Sequence, residues 1–273
     1  MKYFVLPIFV FTILTGCSDE DPIPFYVVTN GHAHNDYEQK RPLYEALEAG
    51  FVSIEADVHL INDSLFVVHD APQSTSGIPT LTELYLKPLA HWIDENEGKV
   101  YAQYDEFLYL MIDLKTDGAS TYPVLKKELA KFEDYISVVS DSTDQLKKPV
   151  KVFISGNRPI EMILADTLKY AAIDGRPENI DQGFSTAIMP VISKNYSAFL
   201  SWKGEGEIDD EELRGVKLMI DSAHKEGKKV RLWGAPDTPE VWEFLLSTGV
   251  DWINTDRLQE FRTYSKDSHF IRL

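Results

Sequence analysis

The chain has 273 residues, a single cysteine and a formal net charge of −17. That charge argues against a polyanionic partner such as nucleic acid, and one cysteine excludes any disulfide within the chain. No Gly/Ser/Pro-rich linker and no internal repeat divides the sequence, so most of it is expected to be one domain.

Residues 1–16 carry one positive charge, Lys2, and an apolar run from Tyr3 to Leu14. The run is too short to cross a bilayer, which takes ~20 apolar residues, and it has the form of a secretory signal. It ends at Leu14-Thr15-Gly16-Cys17, which resembles the lipobox of bacterial lipoproteins. The resemblance implies cleavage before Cys17, lipidation of its thiol and anchoring in a bacterial cell envelope. Residues 17–24 then form an acidic tether, and residues 25–273 the domain.

The apolar run Phe25–Val28 predicts a first strand, followed by His32, His34, Asn35 and Asp36. Pro42–Ala49 reads as a helix, with Pro at its start and Gly50 as its stop. Strand Phe51–Val58 carries Glu55 and Asp57. Asn62-Asp63 then turns the chain back into Leu65–Val68, just before His69-Asp70. So short a link cannot hold a crossover helix, and residues 58–69 are expected to form a hairpin. A helical pattern over Thr80–Glu97, interrupted near Pro88, leads to Phe107–Leu114, a near-continuous apolar run typical of a buried parallel strand. Helix Tyr122–Phe132, strand Val150–Ile154, helix Pro159–Leu168, strand Tyr170–Ile173 and a weaker strand at Ile188–Ile192 follow. Helix Asp209–Glu226, strand Lys229–Trp233, helix Pro239–Leu246 and strand Val250–Asn254 complete the pattern. Leaving out the hairpin, eight strands alternate with helices or helix-length gaps. Over about 250 residues this is the pattern of an α/β protein, a (β/α)8 TIM barrel with a hairpin insertion after strand two.

In such a barrel the working face lies at the C-terminal ends of the strands, and there the unusual polar residues fall. Glu55 and Asp57, two apart on a strand, point to the same side, and Asp113 ends the next barrel strand. Three carboxylates without thiols suit Mg²⁺ or Ca²⁺ better than zinc. His34 and His69 suit general acid and base near neutral pH. His59 and His91 read as structural, His224 and His269 as surface residues. His32-x-His34 alone would also fit a zinc amidohydrolase, with His32 as a ligand, but no histidine lies between His91 and His224 to complete such a site. A surface-binding lipoprotein without turnover is a further alternative.

The order His34-Asn35-Asp36, Glu55-Ala56-Asp57, His69-Asp70, Asp113-Leu114-Lys115 and Gly249-Val250-Asp251 through Asp256 resembles the glycerophosphodiester phosphodiesterase family of phosphatidylinositol-phospholipase-C-like barrels. The motifs HNDY, EADVHL and WGAPD are most similar to its branch named after altered inheritance of mitochondria protein 6. The resemblance implies a phosphodiesterase acting on a small glycerophosphodiester or lipid head group. It makes His34 and His69 the acid/base pair and Glu55, Asp57 and Asp113 the metal ligands. Lys115 would hold the phosphate, Asn35 would be a further substrate-binding residue and Trp233 would line the pocket. Asn35-Asp36 replaces the family's Arg-Gly, so Arg41 or Arg158 is expected to supply the missing cation. Asp113, where the family usually has glutamate, resembles the sphingomyelinase D relatives.

Overall fold

The computed structural model describes residues 25–140 and 147–267. Its strands form at the apolar runs: β1 (Val28–Ala33), β2 (Phe51–Ile61), β3 (Ser64–Val67), β4 (Leu108–Leu114), β5 (Val150–Gly156), β6 (Ala171–Gly175), β7 (Val191–Asn195), β8 (Lys229–Trp233) and β9 (Trp252–Thr255). β1 pairs in parallel with both β2 and β9, and the order β9, β8, β7, β6, β5, β4, β2 closes eight parallel strands into a barrel. β3 stays outside the ring, antiparallel to β2, with Ile61 opposite Ser64. Asn62 and Asp63 both take positive φ, 49° and 58°, the geometry that matches a two-residue turn to the twist of a hairpin. The expected hairpin is therefore present. The first strand begins later than its apolar run suggests, so His32 is a strand residue and not part of a loop.

The outer ring consists of α1 (Tyr44–Glu48), α2 (Lys87–Glu95), α3 (Gly118–Leu129), α4 (Ile160–Ala165), α5 (Asp210–Lys225), α6 (Pro239–Thr248) and α7 (Leu258–Asp267). Their ends follow local chemistry. The Asp117 carboxylate accepts from the Ser120 N–H at 2.9 Å to open α3, and Asp209 accepts from Glu211 and Glu212 N–H to open α5, each capping amides that lack helical partners. Pro88 lies in the first turn of α2, and the preceding turn, Thr82–Leu86, is widened into a π-helix. Among the described residues no α-helix joins β6 to β7, only the 3-10 turn Pro177–Asn179. Pro177, Gly183 and Pro190 interrupt that stretch, and it carries no apolar stripe of helical period. The last helix, α7, goes beyond the elements that the sequence pattern predicts. It seats buried Phe261 against Phe51 and Trp242, with ring centroids 6.0 and 5.2 Å apart, and so covers β1.

Two apolar regions result. The larger lies between strands and helices. The smaller plugs the barrel itself, with Met111, Phe153, Ala172, Val191 and Trp252 buried and Tyr109 packed against them. Tyr109 and Trp252 meet edge-on at 4.8 Å between centroids, a contact worth about 0.5–1.5 kcal/mol beyond area burial. Above this plug the inward-facing positions turn polar.

Candidate active site

β2 and β4 run side by side with Asp57 opposite Asp113, and Glu55 follows the same face of β2 as Asp57. Carboxylate oxygens of Glu55, Asp57 and Asp113 accordingly lie within 4.8 Å of one another. Glu55 and Asp57 are buried. Lys115 Nζ, one residue past β4, sits 3.0 Å from Asp57 Oδ2 and 3.2 Å from Asp113 Oδ1. The Tyr37 hydroxyl donates to Asp57 Oδ2 at 2.7 Å, whereas Asp57 Oδ1 is buried with no hydrogen-bond partner. Burial, and then the negative charge of Glu55, push the Asp57 carboxyl up to about 6. Burial lowers the Lys115 ammonium, but the charges of Asp113 and Asp57 outweigh it and leave Lys115 raised. Hard oxygen donors, an excess of negative charge and a buried oxygen without a donor together fit a divalent cation such as Mg²⁺ or Ca²⁺.

Backbone geometry at Gly156, opposite Leu114 in the β4–β5 pair, permits this arrangement. Its φ is +67°, and an added Cβ would stand 2.4 Å from Asp113 Oδ1. A side chain there would displace the carboxylate.

His34 follows β1, and its Nδ1 lies 2.8 Å from Asp256 Oδ1, just beyond β9. Burial lowers the imidazole, yet the hydrogen bond to Asp256 and the charges of Glu55 and Asp256 exceed that and leave it raised. His69 follows β3, which the hairpin carries over the barrel mouth. Its Nδ1 lies 3.1 Å from Asp70 Oδ1, and His59 Nε2 donates to its carbonyl at 3.1 Å. His59 thus fastens the loop that bears His69, in keeping with its expected structural part. His34, His69, Asn35, Glu55, Asp113, Lys115 and Trp233 line one cavity of about 390 Å³. Trp233, at the end of β8, is 39% exposed. Asn35 takes a left-handed conformation, φ 44°.

The same cavity is lined by Arg176 and Arg231, which belong to no sequence motif quoted above. Asp174, completely buried, holds both: Arg176 Nη1 is 2.8 Å and Arg231 Nη2 3.4 Å from its Oδ2. Ser155 and Ser193 donate to the two oxygens of Asp174 at 2.8 and 2.5 Å. Burial raises the Asp174 carboxyl, but Arg231 and Arg176 outweigh it and hold it below the ordinary range. The signal available in the sequence is parity alone: Arg231 lies two residues before Trp233, and Asp174 two before Arg176.

These two arginines correct the expectation for the missing cation. Arg41 instead pairs with Glu48 on the surface, where its backbone N–H also donates to Glu45 at 3.1 Å. Arg158 donates to the Asp174 carbonyl behind the wall that Arg176 lines. His32, completely buried, has Nδ1 2.7 Å from Ser53 Oγ and Nε2 3.0 Å from Glu55 Oε2, with Arg231 Nη1 3.2 Å from the same Nε2. A guanidinium beside that nitrogen excludes His32 as a zinc ligand, and with it the amidohydrolase alternative. His91 and His224 are exposed and pair with Glu95 and Asp251; His269 lies outside the described residues.

A family model described as the AIM6-like phosphodiesterase domain matches residues 25–173, more than half of the chain, including both cavity histidines and the three clustered carboxylates. Altered inheritance of mitochondria protein 6 homolog from Arthroderma benhamiae is 29% identical over 283 residues, covering 90% of each chain. Altered inheritance of mitochondria protein 6 from Kluyveromyces lactis is 27% identical over 303 residues, covering 87% of this chain and 72% of that one. Among solved structures, a glycerophosphodiester phosphodiesterase from Parabacteroides distasonis matches with a TM-score of 0.54 at 17% identity, covering 86% of this chain and 95% of that one. That likeness shows a shared fold. The curated relatives are fungal and named for mitochondria, which overturns the expected location in a bacterial cell envelope. That expectation rested on residues 1–24, Cys17 among them, which lie outside both the family match and the described residues.

Proposed function

The chain belongs to the AIM6-like phosphodiesterase family, and from that premise we propose that it hydrolyses a small glycerophosphodiester-like or phospholipid-derived phosphodiester by His34/His69 acid–base catalysis, with Glu55, Asp57 and Asp113 holding a divalent cation. One observation carries the reading: Glu55 and Asp113 of the carboxylate cluster line one cavity with two histidines, each backed by an aspartate, and Asp57, with its donorless oxygen, completes the cluster. At about 390 Å³ the cavity suits a head-group-sized ligand. Lys115, Arg176 and Arg231 supply the positive wall for the phosphate oxygens, as charge-assisted donors do best in a partly buried site.

The Asp256 carboxylate raises the basicity of His34 and suits it to the role of base, in which it takes the proton from the nucleophile, either water or a neighbouring substrate hydroxyl. The phosphorus–oxygen bond to the leaving alcohol breaks, and His69 protonates that oxygen. Each transfer contributes ~10²–10⁴-fold. Mg²⁺ or Ca²⁺ at the three carboxylates would supply charge to a non-bridging phosphate oxygen. Trp233 forms the apolar side of the mouth.

The test is hydrolysis of a chromogenic phosphodiester and of a glycerophosphodiester, before and after chelation, with Mg²⁺, Ca²⁺ and Zn²⁺ returned separately. Activity is expected to vanish on chelation and to return with Mg²⁺ or Ca²⁺. Turnover that ignores chelation, or that survives His34→Ala and His69→Ala, would sink the mechanism.

A further inference from the structure

The two oxygens of Asp57 meet different surroundings. Oδ2 receives the Tyr37 hydroxyl at 2.7 Å and lies 3.0 Å from Lys115 Nζ. Oδ1 is buried and without a hydrogen-bond partner. A buried carboxylate oxygen that no donor reaches is costly. Asp36 Oδ1 is in the same state, but Asp57 also belongs to the cluster with Glu55 and Asp113, where a cation would meet its free oxygen.

Tyr37 does not reach Asp57 by chance of loop packing. It lies in the short 3-10 turn Asp36–Glu38, and that turn is tied down from beneath. Asp36 is completely buried. Its Oδ2 accepts from the Leu43 N–H at 2.5 Å and from the Tyr85 hydroxyl at 2.8 Å. Leu43 takes φ 66° to present that N–H, and Asn35 takes φ 44° to enter the turn. A positive φ at a leucine is strained and persists only where surrounding contacts enforce it. Asn35 to Leu43 therefore holds two positive-φ residues and a buried carboxylate, and the group the segment delivers to the carboxylate cluster is the Tyr37 hydroxyl.

We propose that Tyr37 is a positioning residue for the divalent cation: its hydroxyl occupies Asp57 Oδ2 and thereby commits Asp57 Oδ1 to the metal. The inference rests on the metal-dependent reading given above and goes beyond it in naming the ligand atom and the group that selects it. Partners of this kind orient a ligating carboxylate and tune its affinity. It also gives Asn35-Asp36-Tyr37 a physical role where the resembling family has Arg-Gly: Asp36 anchors the turn and Tyr37 aims the ligand.

The experiment is a calorimetric titration of the metal-stripped protein with Mn²⁺, for wild type, Tyr37→Phe and Tyr37→Gln, alongside thermal melts and the Mn²⁺ dependence of turnover. Tyr37→Phe is expected to weaken Mn²⁺ binding about 10–100-fold, with turnover recovering as Mn²⁺ is raised. Tyr37→Gln returns a donor near the same place and is expected to recover part of the affinity. Unchanged Mn²⁺ affinity in Tyr37→Phe would overturn the proposal while leaving the metal reading intact. Equal loss of affinity in both variants, tracking an equal loss of melting temperature, would also overturn it, since that is the mark of a structural role. Absence of Mn²⁺ binding by wild type would remove the metal reading and the proposal together.

Discussion

Two layers of the barrel interior, two residues apart along the same strands, are built from opposite chemistries. The lower layer holds Phe153, Ala172, Val191 and Trp252. Two residues on, β5, β6, β7 and β9 present Ser155, Asp174, Ser193 and Asn254 instead. Apolar side chains in the plug need only shape and volume, because dispersion and burial are non-directional. Each charge in the upper layer needs a named partner, because an unpaired buried charge costs several kcal/mol. The difference shows which half is held by filling space and which half is held by a network that chemistry can use.

The largest effect that would sharpen this comparison lies at the mouth. His34→Ala should lower turnover ~10²–10⁴-fold while costing far less stability than a substitution in the plug, because the side chain is only half-buried and loses one hydrogen bond, to Asp256, worth about 1 kcal/mol. Steady-state kinetics beside a denaturant melt would check it. A parallel collapse of stability would break the division between the halves.

Asp174→Ala comes next, because it strips the shared carboxylate from Arg176 and Arg231. Removing one partner of a buried ion pair costs about 3–5 kcal/mol, and the cationic wall should lose its aim, so turnover and stability should fall together. In the plug, Trp252→Ala should also cost about 3–5 kcal/mol. There the expected signature differs: a lower melting temperature, with turnover retained well below the new midpoint. Loss of turnover in Trp252→Ala at temperatures where it is folded would mean that the layers are not independent.

The smallest effect is a pH shift. Asp256 raises the His34 imidazole above its ordinary value, so neutral His34, the proposed base, appears only above that value. Asp256→Asn should move the acid limb of the turnover profile to lower pH and reduce its plateau. The stability sign follows from the same group. Its contribution is fully present below the unfolded-state pKa near 6.5 and is lost as pH rises through the folded value. The variant should therefore be less stable than wild type on the acid side and converge with it above that range. NMR titration of the His34 ring gives the direct reading, and an unmoved titration would show that Asp256 does not set the basicity of His34.

Much of the site was legible because its parts sit at fixed offsets from apolar runs. Glu55 and Asp57 share a strand face by the two-residue period, and a link as short as Asn62-Asp63 admits nothing but a hairpin. Asp174, Arg176 and Arg231 were not legible in the same way. A buried Asp or Arg in a strand has no local signature, since its partners come from strands far apart in sequence. Arg231 reaches His32, 199 residues away, and Asp174, 57 residues away. The missing helix after β6 left only a weak trace in the sequence, because helix-length spacing does not require a helix. The extra helix α7 escapes the sequence pattern for the opposite reason: its polar composition hides an apolar face that only β1 and α6 reveal.

By itself the sequence determined the alternation of strands and helices, the hairpin, the barrel and the residue types available at its mouth, because those follow from periodicity and turn chemistry within a few residues. Tertiary structure decided which cations face the cavity, which oxygen of Asp57 is left without a donor and which histidine a distant aspartate backs. Those outcomes depend on contacts between strands that the closed barrel brings together, and burial then makes each of them strong.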